Sequence, residues 1–176
     1  IKLNPFGEEE WQSNPCDFCG DNQSYGQSGI QTNDGGYIIT GYIEYNDSNE
    51  LLVIKTDNSG NKEWHFLASD LPDSENLIDQ GFDVLEDQDG NFIVVGWQME
   101  AEVENRDAWV LKFDYTGTLL WENRFDWGGD EKGYAVEPGN NGYVIAGYIT
   151  DAGSSEKDML LFGIDPNGDS DWDQRY

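Results

Sequence analysis

Apolar and polar positions along this chain fall into a pattern that recurs. Three stretches read as a polar turn followed by aromatic, aliphatic, aliphatic, small, glycine, aromatic: NDGGYIITGYI from Asn33, QDGNFIVVGWQ from Gln88 and NNGYVIAGYI from Asn140. A short apolar run bounded by Asn, Asp and Gly is the mark of a buried strand entered through a tight turn. The Asp-Gly, Asn-Gly and Gly-Gly steps predict two-residue hairpins, because they tolerate positive φ. The glycine inside each run predicts close approach of backbone or a bend.

A second pattern alternates with the first. Ile1–Trp11 is IKLNPFGEEEW, Ile54–Trp64 is IKTDNSGNKEW, Leu111–Trp121 is LKFDYTGTLLW, and Gly163–Trp172 is GIDPNGDSDW, without the lysine. Each has an apolar strand end, Asp or Asn, two spacers, Gly, three spacers and Trp. Each unit therefore reads as four strands. The first covers Gly81 to Glu86 or Tyr134 to Glu137. The second covers Tyr37 to Ile43, Phe92 to Gln98 or Tyr143 to Ile149. The third covers Leu51 to Thr56, Ala108 to Phe113 or Met159 to Ile164. Polar loops (44–50, 99–106 and 150–157) join the second strand to the third, and the fourth strand carries the tryptophan. No segment has the periodicity and caps of a long helix.

Four antiparallel strands in a unit of roughly 40–50 residues is the signature of a β-propeller blade. The expected fold is all-β, with tandem four-stranded antiparallel blades, three complete units and an N-terminal half unit. The boundaries are a partial blade at 1–12 and blades at 13–66, 67–123 and 124–176. One blade cannot bury both of its faces, so neighbours must stack. Trp11, Trp64, Trp121 and Trp172 are expected to dock one blade on the next, since Trp buries a large area and can satisfy its N–H at a blade edge. The N-terminal half unit has no first or second strand within these residues. The chain is therefore expected to belong to a longer propeller, or to an assembly in which neighbouring chains supply the missing strands.

The Asp-x-x-Gly-x-x-x-Trp segments resemble the tryptophan-docking repeats of quinoprotein-type propellers. Residues 34–41 and 54–64 more closely resemble the secreted propeller repeats of bacterial and archaeal surface proteins, with Asp-Gly-Gly-Tyr-Ile-Ile-x-Gly, Ile-Lys-Thr-Asp and Gly-Asn-x-x-Trp. That resemblance covers essentially the whole chain and implies the fold. It implies no redox cofactor: the turns from Asp57 to Gly60 and Asp114 to Gly117 are one residue shorter than the quinoprotein docking turn, and no quinone-binding set is visible.

Charge narrows the function classes. Nine basic residues face 36 acidic ones, a formal net charge of −27. Such a surface repels nucleic acid and anionic lipid, and no run is long enough for a membrane helix. Neither a nucleic-acid partner nor membrane insertion is expected. Two cysteines, Cys16 and Cys19, form a CxxC on a polar loop. One histidine, His65, is too few ligands for a zinc site, so a local disulfide is the expected state. The setting it suits is secreted or cell-surface.

Candidate chemistry is thin. His65 follows Trp64 with no nucleophile elbow nearby, so no catalytic residue is assigned. No cofactor is expected, although calcium stays open through loop acids: Glu86, Asp87 and Asp89; Asp47 and Glu50; Asp151, Glu156 and Asp158. The function expected is a non-enzymatic extracellular or cell-surface module acting as scaffold, adhesion or assembly subunit, with protein or glycan partners and neighbouring blades or chains. The alternative is a carbohydrate-binding or carbohydrate-cleaving propeller using exposed Trp97, Trp109 or Trp127.

Overall fold

The fold was analysed in a computed structural model, which describes residues 1–45, 48–72, 74, 77–101, 103 and 105–176. It is all-β: three four-stranded antiparallel sheets follow one another in tandem, preceded by a two-stranded hairpin. The hairpin is β1 (Lys2–Leu3) and β2 (Glu9–Trp11). The first sheet is β3 (Ser24–Gln31), β4 (Tyr37–Tyr45), β5 (Ser48–Thr56) and β6 (Lys62–Leu67). The second is β7 (Leu77–Glu86), β8 (Phe92–Glu100), β9 (Asp107–Phe113) and β10 (Leu119–Phe125). The third is β11 (Gly129–Pro138), β12 (Tyr143–Asp151), β13 (Asp158–Ile164) and β14 (Ser170–Arg175). In each sheet the strands pair in chain order, as consecutive hairpins dictate. A single 3₁₀ turn, Ala68–Asp70, follows β6. Among the described residues, no helix is long and apolar enough to cross a membrane.

The strands extend beyond the apolar runs. β7 begins at Leu77 and β11 at Gly129, several residues before the expected starts, because Leu77 pairs with Glu100 and Gly129 with Asp151. Ladder hydrogen bonds ignore side-chain polarity, so the polar ends of the loops continue as strand.

In the first two sheets the first hairpin turn also differs from a two-residue loop, whereas in the third Gly139 N–H bonds Gly142 O across Asn140 and Asn141. Between β3 and β4, Thr32 N–H bonds Gly36 O and Gly35 N–H bonds Thr32 O, with Gly35 at φ 86°. The Asp87–Asn91 turn repeats this arrangement with Gly90. The turns of the first two sheets use one left-handed glycine rather than two positive-φ residues, and carboxylates stabilise them. Asp87 Oδ1 accepts the N–H groups of Asp89 and Asn91, both at 2.9 Å.

The core lies in the seams between sheets. Ile38, Leu51 and Val53 of the first sheet meet Val84, Val94 and Phe113 of the second. Ile93, Val95 and Val110 of the second meet Val136, Ile145 and Phe162 of the third. The first strand of each following sheet is the main contact, β7 on β3–β5 and β11 on β7–β9. Asp83 on β7 ties all three sheets together. It accepts from Ser28 Oγ on β3 at 2.7 Å and from Val136 N on β11 at 3.0 Å. As the pattern predicted, the in-strand glycine meets backbone: a side chain on Gly96 would collide with Gln80 O.

Asp79 on β7 is 2% exposed and accepts from Leu51 N at 2.5 Å and Gln98 Nε2 at 3.4 Å. Burial pushes its carboxyl up to about 7, the two donors oppose this, and Glu50 adds to it. The folded pKa exceeds the unfolded one, so this group's contribution is complete below the ordinary carboxylate range and is lost as pH rises through about 7. Asp79→Asn should therefore flatten the decline in stability between about pH 5 and 8, raising stability at pH 8 by on the order of 2–4 kcal/mol. Urea denaturation at both pH values checks this, and equal slopes for parent and variant would contradict it.

Candidate functional site

The repeated tryptophans form the most developed site in the molecule. Each third-to-fourth-strand turn is built alike. Asn4, Asp57, Asp114 and Asp165 each place one side-chain oxygen on the N–H groups two and four residues ahead, at 2.8–3.0 Å. The turn glycine takes a left-handed φ, 80° at Gly60 and 87° at Gly117. Its bare face receives the indole of the preceding unit. A Cβ on Gly117 would fall 2.6 Å from the Trp64 ring, and one on Gly168 would fall 2.9 Å from Trp121. Trp11 covers Gly60 in the same way. Trp64 Nε1–H bonds Tyr115 O and Trp121 Nε1–H bonds Pro166 O, both at 3.2 Å, in each case the carbonyl two residues before the glycine. The second residue past the tryptophan adds a bond: Ser13 Oγ to Gly60 O at 2.7 Å and Asn123 Nδ2 to Gly168 O at 3.0 Å.

The repeat lysine lies across the strand from each tryptophan. Lys55 pairs with Trp64, and its side chain is 1% exposed. Its ammonium bonds Asp34 and Glu63 at 2.8 Å and Thr56 O at 3.0 Å. Burial works against the charge, but the two carboxylates outweigh it and hold the Lys55 pKa above its ordinary value. Asp34 in turn is held down to about 2, chiefly by Lys55. Lys112 repeats the arrangement with Asp87 at 3.0 Å and Tyr143 Oη at 2.8 Å. The third sheet has Gly163 at this position, and Trp172 lies over it.

The two ends of the array carry the unmatched halves of this joint. Trp172 is 42% exposed. Gly7 has the left-handed φ of 82°, yet a Cβ there would meet nothing within 4 Å. Beside the hairpin, Leu3, Trp11, Ile30, Tyr37 and Ile38 line an apolar groove of about 430 Å³.

The other residues singled out in sequence sort differently. Trp109 is not exposed: it is fully buried, with Nε1–H on Glu122 Oε2 at 2.5 Å. Trp97 is 4% exposed and lies under Arg106 and Lys132, while Trp127 is half-buried against Phe125 and Phe162. The second sheet is covered on both faces, so Trp97 and Trp109 belong to its core and are not exposed. Cys16 and Cys19 are joined as a disulfide, and Cys19 packs with Ile43, Leu52 and Ile54. His65 stacks on Phe18 at 3.7 Å, and burial lowers its pKa.

Four of the loop acids considered for calcium are engaged with other partners, Asp87 with Lys112 and its own turn among them. Glu86 accepts Asn33 N, Glu50 accepts Ser69 N, and Asp151 pairs with Arg175. Asp47 lies outside the described residues. Sequence reading missed Asp107, Asp126 and Glu131, whose carboxylates meet within 4.8 Å. The legible signal was Glu131 two residues before Gly133, where the repeat has Asp79 two residues before Gly81: an acid at the same inward-facing position of successive first strands.

No family model matches the chain, and no curated protein does. Among solved structures, it is similar to a protein of unknown function from Bacteroides caccae, with 11% identity and a TM-score of 0.47 over 80% of this chain. The chain spans about half of that protein, 53% of its length. A likeness of this degree carries no functional inference.

The joints rank the tryptophans. Trp121→Ala should destabilise by about 3–5 kcal/mol, and Trp109→Ala by a similar amount, while Trp172→Ala should cost less than about 1 kcal/mol. Chemical denaturation of the three variants checks the order. If Trp172→Ala proves as costly as Trp121→Ala, the joint assignment is wrong. A second expectation concerns the cysteines: intact mass with and without reduction should show that Cys16 and Cys19 resist alkylation in the native protein.

Proposed function

We propose that this chain is a non-enzymatic assembly module of a secreted or cell-surface propeller protein, whose end faces accept further blades. The observation that carries this reading is the pair of unmatched joint halves, exposed Trp172 at one end and open Gly7 at the other. Three internal joints use the same parts, so the chemistry of the missing partner is written in the chain. An Asx-x-x-Gly turn belongs on Trp172, and an indole belongs on Gly7. The repeat register further assigns Pro5 O as the acceptor for an incoming indole N–H, by analogy with Pro166 O. The groove beside the hairpin is the place of the first and second strands of the hairpin's own unit, since β7 and β8 hold the corresponding place beside β9 and β10 in the second sheet. The resemblance to secreted bacterial and archaeal propeller repeats supports the extracellular setting, as does the Cys16–Cys19 disulfide.

An interface of this kind is head-to-tail, because the two surfaces differ. Residues 1–176 should therefore self-associate as concentration rises between about 1 and 100 µM. Trp172→Ala should reduce the association, and so should Gly7→Asn, which keeps the left-handed turn but places a Cβ where the ring must lie. Sedimentation velocity gives the readout. A parent chain that stays monomeric throughout, or association unaffected by both substitutions, defeats the reading.

A further inference from the structure

The seam between the second and third sheets holds a group of acids that the joints do not use. Asp107 opens β9, Asp126 directly follows β10, and Glu131 is the third residue of β11. One carboxylate oxygen from each lies within 4.8 Å of the others. Among the described residues, no lysine or arginine nitrogen pairs with any of the three. Arg124 acts on Asp107 only from beyond ion-pair range. Glu131 is 0% exposed, and its Oε1 accepts Gly129 N at 3.0 Å. Its other oxygen, Oε2, is buried with no hydrogen-bond partner. A buried carboxylate oxygen without a donor is costly, and two neighbouring carboxylates make it more so.

The first seam shows what the same positions look like when their charge is satisfied. Aligned on Trp64 and Trp121 and on Gly81 and Gly133, the equivalents of Asp107, Asp126 and Glu131 are Glu50, Ser69 and Asp79. There Ser69 N–H serves Glu50 at 2.8 Å, and Asp79 has donors for both oxygens, Leu51 N–H and Gln98 Nε2. In the second seam a third carboxylate replaces the serine, and Glu131 Oε2 loses its donor. Asp126 is exposed and Asp107 half-buried, so the group opens to solvent on one side.

We propose that Asp107, Asp126 and Glu131 bind a hard divalent cation of the calcium type, which staples the second sheet to the third. Oxygen-only ligands suit such ions, and calcium completes six to eight positions with water or main-chain carbonyls around flexibly placed carboxylates. Glu131 supplies the buried oxygen, Asp107 reaches from the preceding sheet, and Asp126 closes the group from the strand connection. Burial, with Asp126 and Asp107 beside it, pushes the Glu131 pKa up to about 7.

The test uses the full chain after EDTA treatment, titrated with calcium chloride by calorimetry in about 0.15 M salt, which screens diffuse binding to the acidic surface. One saturable site per chain is expected, with a melting temperature that rises with calcium. Glu131→Gln should weaken binding at least about tenfold and abolish the calcium-dependent rise. Its metal-free form should melt no lower than the parent, since the amide oxygen can keep the Gly129 N–H bond while the charge beside Asp107 and Asp126 is removed. Asp171→Asn with Asp173→Asn, in the outermost strand β14, should change neither readout. If Glu131→Gln fails to fold, Asp107→Asn at the half-buried position carries the same test. No saturable heat in the parent, saturable binding that survives both substitutions, or binding of magnesium but not calcium would overturn the proposal.

Discussion

The contact on which this architecture depends is an indole lying flat on a turn glycine. A four-stranded sheet has two apolar faces and cannot bury either alone, so every sheet needs a neighbour at a fixed distance and angle. The joint sets both. The glycine provides a surface without a Cβ, its left-handed φ is available at little cost, and the Asp side chain holds the turn rigid. The carbonyl two residues earlier then takes the indole N–H in the Trp64 and Trp121 joints. Steric fit, turn conformation and hydrogen bonding thus select the same two residue types, which is why Trp and Gly recur with the repeat.

Electrostatics follows from the same stacking. In a chain of net charge −27, six of the nine basic side chains form ion pairs with carboxylates among the described residues: Lys2, Lys55, Lys62, Arg106, Lys112 and Arg175. Lys55 and Lys112 lie beneath the joints and keep their charge because carboxylate or phenol oxygens are already in place. The acids have fewer partners than they need. Asp79 and Glu131, two buried carboxylates at equivalent places in successive seams, are both pushed up to about 7. Asp79 has a donor for each oxygen to soften that cost, whereas Glu131 Oε2 has none among the described residues and two further acids lie close by.

The ends of the array repeat the logic of its interior. Trp172 has no lysine across the strand and rests on Gly163, while Gly7 keeps the turn geometry of its counterparts without a ring. Both features are parts of the same repeat.

The sequence determined the repeat, the four-strand unit and the strand order, because hydrophobic alternation, turn glycines and a fixed Gly-to-Trp spacing are local properties; of the four tryptophans expected to dock, Trp11, Trp64 and Trp121 lie on the turn glycine of the next unit, and Trp172 lies on Gly163 of its own sheet. It could not tell which off-repeat tryptophans face solvent. Trp109 sits in a strand covered on both sides, and a strand between two sheets reads as a continuous apolar run with no outward face. The turn type also escaped it, since an Asp-Gly step serves both a two-residue hairpin and a longer turn whose carboxylate caps its own N–H groups. The meeting of Asp107, Asp126 and Glu131 was decided by tertiary structure alone. These residues come from two sheets and the connection between them, and only the stacking of one sheet on the next brings their carboxylates together. What the chain spells out is each sheet and its joint; what lies between the sheets depends on how closely the joint draws them together.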